Sequence, residues 1–282
     1  MFFGSELLNA ASYDAESCAE IDITFDVNAD LQLDVHYSGV SGVCEIEGET
    51  ISSPPTVVFV YGGSWRSGEK ETYQFVADFF TSNGFNIVIP DYRLFPEVAY
   101  PEFLKDIETF FHWLADNNDA LKLNTDEVFV IGHSAGAYNL AMYLVNDDYQ
   151  KPFRFEGFIG LAGPYDFFLP ATEDKDYHAV FTQNGDFNNT DSLPAQLLPS
   201  DSLSHVLNKA LILHGAGDSV VSTKNPKNIL PGLRQSGIEA NIKMYEGIGH
   251  VRLVSGLAIV PLLGFEIQQD VLKFLNGVTV VR

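Results

Sequence analysis

The chain has 282 residues, of which 46% are hydrophobic, so it is long enough to form a large buried core. Its 38 acidic side chains against 16 basic ones give a formal net charge of −22, which argues against nucleic acid and anionic membrane surfaces as partners. The most apolar segment, residues 251–265, contains an arginine and a proline and is too short to span a bilayer.

The first residues of the chain contain neither the cationic segment nor the long apolar segment of a signal peptide. We therefore expect a cytoplasmic protein, with export as the alternative if a signal peptide has been removed. The two cysteines, Cys18 and Cys44, are too few for a disulfide framework. One bridge between them would fit an exported protein, but two free thiols are the expected state.

Strand patterns begin close to the N-terminus. Residues 20–27 and 31–37 alternate polar and apolar side chains, which predicts two half-exposed antiparallel strands. Later segments are continuously apolar and are bounded by glycine or proline, which predicts strands buried on both faces of a mainly parallel sheet. These segments are residues 56–61, 86–90, 127–132, 155–163 and 209–215.

Helical patterns separate these strands. Residues 101–117 and 265–277 repeat apolar side chains at three- and four-residue steps, and residues 134–147 are apolar nearly all round. The alternation predicts an α/β fold, with a mostly parallel sheet of about eight strands flanked by helices in one domain over residues 1–282. Residues 164–208 are rich in Asn, Asp, Ser and Pro, which indicates a small cap-like insertion after the sixth strand.

A candidate nucleophile lies between a predicted strand and a predicted helix. Gly132-His133-Ser134-Ala135-Gly136 has the form G-x-S-x-G, which in this context forms a sharp turn that projects the serine hydroxyl away from the sheet. Small residues are needed on both sides because the strand and the helix approach each other closely there. The N–H groups at the start of the helix can also stabilise negative charge. Ser134 is therefore the predicted nucleophile.

A serine nucleophile needs a base, and the chain offers seven histidines. His250 lies in a glycine-rich loop after the strand-like residues 240–246, late enough for the chain order serine, acid, histidine. Asp218 follows a buried strand and reaches the same carboxyl edge of the sheet as Ser134, where catalytic groups gather in open α/β sheets. Glu246 is the rival acid, but it would have to fold back along its own loop, so we predict Asp218.

With these residues in place, the chain resembles the α/β-hydrolase serine esterases, in the carboxylesterase and arylformamidase-like branch near the hormone-sensitive-lipase group. The motifs that carry the resemblance run in order along nearly the whole chain: "YGGSW" at 61–65, "PDYRLFPE" at 90–97, "GHSAGAYNLA", "LAGPYDFF" at 161–168, "LHGAGDSVV" and "GIGHVRLV". The resemblance implies an α/β-hydrolase fold, and an oxyanion hole formed by the backbone N–H of Gly62 or Gly63 together with that of Ala135. Tyr61 stands where the family usually has histidine, and its role stays open.

Five residues are candidates for the substrate pocket: Tyr61, Trp65, His133, Phe167 and Val251. Trp65 could stack on an aromatic substrate, with internal packing as the alternative. Residues 251–264 could shape the pocket together with the insertion, or could simply pack in the core.

We expect a serine carboxylesterase that hydrolyses short-chain or aromatic esters through an acyl-enzyme, without cofactor or metal. One alternative is an arylformamidase-like amide hydrolase. The other is a non-catalytic ligand-binding protein on a hydrolase scaffold. The expected partner is a small-molecule ester, and monomer and dimer both remain open.

Overall fold

The computed structural model describes residues 18–38, 54–165, 179–181, 202–258 and 265–277. A twisted sheet forms its centre. In chain order its strands are β1 (Ala19–Asp26), β2 (Leu31–His36), β3 (Pro55–Val60), β4 (Asn86–Pro90), β5 (Asn124–His133), β6 (Phe155–Leu161), β7 (Lys209–Gly215) and β8 (Glu239–Tyr245).

Helices connect the strands and cover the sheet. A short 3₁₀-helix, Lys70–Tyr73, leads directly into the first α-helix. Within the described ranges the α-helices are α1 (Gln74–Ser82), α2 (Glu102–Asn117), α3 (Ala135–Val145), α4 (Ser202–Val206), α5 (Asn225–Gln235), α6 (His250–Ser255) and α7 (Phe265–Leu275). None of them is both long and apolar enough to cross a bilayer.

The eight strands lie in the order β1-β2-β4-β3-β5-β6-β7-β8. Strand β2 pairs antiparallel with β1 and with β4, and the strands from β4 across to β8 are all parallel to one another. Every residue of β4 is buried, as helix-covered strands require, whereas the edge strand β1 is largely exposed. The predicted α/β architecture is confirmed.

This topology positions the site. Strands β3, β5, β7 and β8 all run in the same direction, so the loops that follow them emerge at one carboxyl edge of the sheet. Those loops begin at Tyr61, Ser134, Ala216 and Glu246. The residues proposed from the sequence as catalytic groups lie on the loops after β5, β7 and β8.

Some sequence expectations fall beyond the described residues. Most of the predicted insertion does, and so do Phe167 and Cys44. Cys18 is described and is disulfide-bonded, which corrects the expectation of a free thiol there. The spacing of two cysteines along a chain does not reveal whether their backbones approach closely enough to bond, and disulfides of this kind persist in oxidising compartments.

Candidate active site

Ser134 occupies the turn between β5 and α3 in a conformation that L-residues rarely adopt. Its φ is 52° and its ψ is −119°, a strained backbone of the kind stored at functional turns. A Cβ on Gly136 would lie 2.1 Å from the Val60 carbonyl oxygen, and one on Gly132 would lie 2.6 Å from the backbone of Ala137. The two glycines are therefore required by backbone contacts, which is the reason the sequence pattern implied.

The structure brings Ser134, His250 and Asp218 together from positions far apart in the chain. The Ser134 Oγ–H donates to His250 Nε2 over 2.9 Å, and the His250 Nδ1–H donates to Asp218 Oδ2 over 2.8 Å. Ser134 directly precedes α3, at the N-terminus of that helix, and His250 is the first residue of α6. This chain of hydrogen bonds has the geometry of a nucleophile, a base and an orienting acid.

The Asp218 carboxylate is held by several donors at once. Its Oδ1 accepts the backbone N–H groups of Val220 at 2.8 Å and Val221 at 2.9 Å, while Oδ2 accepts from His250. Burial by itself would raise the pKa of Asp218. The hydrogen bond and charge of His250, with the two backbone N–H groups, outweigh burial and hold the pKa below its ordinary value, so the group stays ionised.

His214, at the end of β7, is a further contact of the acid that the sequence analysis did not assign to the site. It is fully buried, and its Nε2 lies 3.2 Å from the Val221 carbonyl oxygen and 3.5 Å from Asp218 Oδ2. Both neighbours are acceptors, so Nε2 carries the proton. Burial is the main reason that the pKa of His214 is lowered, which keeps the ring neutral.

His133 precedes the serine and is only 1% exposed, so it does not line an open pocket as expected from the sequence. Its ring centre lies 5.0 Å from that of His250, and a Cβ on Gly62 would lie 3.0 Å from its Nδ1. Burial, reinforced by the charge of His250, lowers the pKa of His133 to about 3. A neutral imidazole therefore fills the space between the glycine loop and the candidate base.

The glycine loop passes directly over the nucleophile. A Cβ on Gly62 would lie 2.8 Å from Ser134 Cβ, and one on Gly63, whose φ is 142°, would lie 1.7 Å from the Ser67 carbonyl oxygen. Ala135 is the first residue of α3, and the first N–H groups of a helix have no partner within it. The expected oxyanion donors, Gly62, Gly63 and Ala135, thus lie in two backbone segments beside Ser134.

Trp65 packs inside the protein, the alternative to stacking on a substrate. It is fully buried, its ring meets Tyr138 and Phe181 edge-on, and its indole N–H donates to Asn139 Oδ1 over 2.8 Å. Asn139 lies on α3, the helix that starts after the nucleophile, so this hydrogen bond ties the glycine loop to the nucleophile's own helix. Neither Tyr138 nor Asn139 was assigned a role from the sequence.

Tyr61, also offered as a pocket candidate, is buried at 1% exposure. Its hydroxyl donates to Asp91 Oδ1 over 2.8 Å, and burial raises the pKa of Asp91 to about 6 despite that hydrogen bond. Asp91 belongs to the motif at residues 90–97, which signalled family resemblance without revealing this partner.

Two exposed apolar side chains lie near the candidate acid and base, beside the exposed polar side chains Ser219 and Arg252. Val220, two residues beyond Asp218, is 51% exposed, and Val251, next to His250, is 44% exposed. Val251 therefore keeps the accessibility that a pocket residue needs. Across the described ranges, His, Cys, Asp and Glu side chains form no group of three or more able to hold a metal ion.

Comparisons with known proteins identify the family and the fold. A family model described as BD-FAE matches residues 46–231. The crystal structure of esterase B from Lactobacillus rhamnosis superimposes with a TM-score of 0.79, covering 97% of this chain and 90% of that one at 15% identity. This likeness confirms the α/β-hydrolase fold.

The curated relatives are longer than the part of them that this chain matches. A probable isoprenylcysteine alpha-carbonyl methylesterase of Arabidopsis thaliana is 21% identical over 71% of this chain and 46% of its own length. The esterase LipC of Mycobacterium tuberculosis is 25% identical over 70% of this chain and 52% of its own length. The chain thus spans about half the length of these relatives.

Proposed function

The chain belongs to the BD-FAE family, and on that premise we propose that it is a serine carboxylesterase with Ser134 as nucleophile, His250 as base and Asp218 as orienting acid. The observation that carries the proposal is the continuous hydrogen-bond chain from Ser134 Oγ through both ring nitrogens of His250 to Asp218. A ligand-binding protein has no need to combine this chain with a strained nucleophile turn.

The reaction follows from the positions of the protons. His250 Nε2 takes the Ser134 proton as Oγ attacks the ester carbonyl carbon, and the ionised Asp218 stabilises the imidazolium that forms. The oxyanion of the tetrahedral intermediate accepts hydrogen bonds from backbone N–H groups of Ala135 and of Gly62 or Gly63. The imidazolium then protonates the departing alcohol, leaving an acyl group on Ser134.

The second half of the reaction uses the same groups. Water enters in place of the alcohol, and His250 Nε2 removes its proton as the water oxygen attacks the acyl carbon. The second tetrahedral intermediate collapses to the carboxylic acid, and the proton on His250 returns to Ser134 Oγ. No cofactor is needed for either step.

The substrate class proposed is short-chain or aromatic carboxylic esters. The exposed side chains near the acid and the base include two apolar ones, Val220 and Val251, which favours an apolar group next to the scissile bond. The relatives bear esterase and methylesterase names, and the proposal extends that chemistry to this chain.

A chain-length series of p-nitrophenyl esters, run in parallel with N-formylkynurenine, tests this function. We expect kcat/KM to be highest for short acyl chains and a serine-directed phosphonate to abolish turnover. Strong preference for the formamide would favour the amide hydrolase alternative, and hydrolysis of neither class would favour the ligand-binding alternative.

A further inference from the structure

Tyr61 connects strand β3 to the glycine loop, and its side chain forms a hydrogen bond with the residue that follows the neighbouring strand. Its hydroxyl donates to Asp91 Oδ1 over 2.8 Å. Asp91 directly follows β4, which pairs parallel with β3. The hydrogen bond therefore joins the carboxyl ends of two adjacent strands at the point where the loop over Ser134 begins.

The backbone of Tyr61 is held as well. Its carbonyl oxygen accepts a hydrogen bond from the Tyr92 hydroxyl over 3.0 Å and lies so close to the nucleophile turn that a Cβ on Gly136 would be 2.4 Å away. In a trans peptide the C=O and the following N–H point in opposite directions. Fixing this carbonyl therefore also fixes the direction of the Gly62 N–H.

The ring of Tyr61 has little freedom to move. It stacks between Tyr92, at 4.9 Å between ring centres, and Tyr73, at 5.8 Å. A Cβ on Gly68 would lie 2.8 Å from its Cδ2. The ring is thus packed on its faces and along one edge, and the hydrogen bond of the hydroxyl fixes its remaining end.

Asp91 is restrained from its other side. Its Oδ1 also accepts the Lys70 backbone N–H over 3.3 Å. The Lys70 ammonium is in turn 2.6 Å from both Asp22 and Glu71 and 3.1 Å from Asp34. The acceptor of the Tyr61 hydroxyl thus belongs to a network that reaches back to the edge strand β1.

We propose that Tyr61 and Asp91 are positioning residues for the esterase reaction, and that their hydrogen bond holds the Tyr61–Gly62 peptide in register with Ser134. The inference rests on the function proposed above. It gives the tyrosine that replaces the usual histidine of this motif a defined task, because the phenol reaches a carboxylate just after the neighbouring strand while the Tyr61 carbonyl contacts the nucleophile turn.

Steady-state kinetics on p-nitrophenyl acetate test the proposal with four variants. Tyr61→Phe and Asp91→Leu remove the hydrogen bond, and we expect each to lower kcat about 10-fold while KM stays within about 2-fold. Asp91→Asn keeps an acceptor oxygen and should retain most of kcat. Tyr143→Phe, the matched control, removes a tyrosine hydroxyl that donates to the Gln150 carbonyl over 2.7 Å, and it should leave kcat unchanged.

A second readout is independent of turnover. The ¹H–¹⁵N signals of the Gly62 and Gly63 amides should shift in Tyr61→Phe and not in Tyr143→Phe. A Tyr61→Phe variant with wild-type kcat and unshifted amides would overturn the inference, as would equal losses in Asp91→Asn and Asp91→Leu. If the wild-type chain hydrolyses no ester, the proposed function fails, and the amide signals alone then decide whether this pair positions the loop.

Discussion

The Nε2 atom of His214 lies 3.5 Å from Asp218 Oδ2, the same oxygen that accepts the hydrogen bond from His250. His214 is thus a second imidazole in contact with Asp218, the acid of the proposed triad. It is placed to hold the loop that carries this acid, because its Nε2 donates to the Val221 carbonyl over 3.2 Å and also contacts the carboxylate.

Replacing His214 separates this role from simple packing. His214→Leu removes the Nε2–H donor, and we expect kcat/KM to fall about 5- to 10-fold, because the hydrogen bond to the Val221 carbonyl and the contact with the Asp218 carboxylate are both lost. His214→Gln can still donate and should recover most of the activity. His112→Gln, on the exposed face of α2, is the control. Equal activity in the Leu and Gln variants would contradict the role.

Gly136 is expected to tolerate no side chain. In Gly136→Ala the new Cβ would lie 2.1 Å from a carbonyl oxygen of β3, so we expect a loss of about 3 kcal/mol or more in unfolding free energy, measured by urea denaturation. Gly84→Ala is the matched control, because Gly84 has a positive φ but open space around it. That variant should lose about 1 kcal/mol. Similar losses in both would argue against the backbone clash.

The lowered pKa of the buried His133 ring predicts how the free energy of unfolding depends on pH. Its pKa is about 3 in the folded chain, against an ordinary value of 6.5. Between these values the unfolded chain binds a proton that the folded chain does not. The free energy of unfolding therefore falls as the pH falls below 6.5, by up to about 1.4 kcal/mol per pH unit for this group.

Denaturation of the wild type and His133→Gln at pH 7, 6, 5 and 4 measures this contribution. The advantage of the wild type in unfolding free energy should shrink as the pH falls, because only the wild type carries the buried imidazole. A difference that stays constant from pH 7 to pH 4 would contradict the assignment of a neutral, buried His133.

The hydrogen bond between Trp65 and Asn139 should be visible as stability. Trp65→Phe removes the indole donor from a fully buried acceptor, and we expect a loss of about 1–3 kcal/mol in unfolding free energy. Trp113→Phe provides the control, because Trp113 is only partly buried on α2. If both variants unfold at the same urea concentration, the hydrogen bond contributes nothing measurable.

The sequence predicts those parts of the molecule that depend on local pattern. Continuous apolar runs predict the parallel strands, and the glycines around Ser134 predict the turn. The helix α5 is not among the sequence predictions: Pro231 inside it argues against a helix, whereas Pro226 in its first turn is compatible with one. The helix α6 is missed too, since six residues after a glycine-rich loop are too few for a periodic pattern.

Side-chain partners are harder to predict than strands. Tyr61 and Asp91 are 30 residues apart, and Trp65 and Asn139 are 74 apart, so their pairing depends on packing that no local pattern contains. Tyr61 and Trp65 were both pocket candidates because they begin and end the motif of the glycine loop. Their burial is decided by neighbouring strands and by α3. The three residues of the proposed triad lie even farther apart in the chain, and the sequence could still suggest them because the order serine, acid, histidine is a property of the fold.

The most direct test of the proposed esterase is the activity of Ser134→Ala. With the best substrate of the p-nitrophenyl series, kcat/KM should fall by at least about 10³-fold while the unfolding transition stays close to that of the wild type. Unchanged hydrolysis in a folded Ser134→Ala variant would contradict the account, because the bond-breaking step would then not pass through this serine.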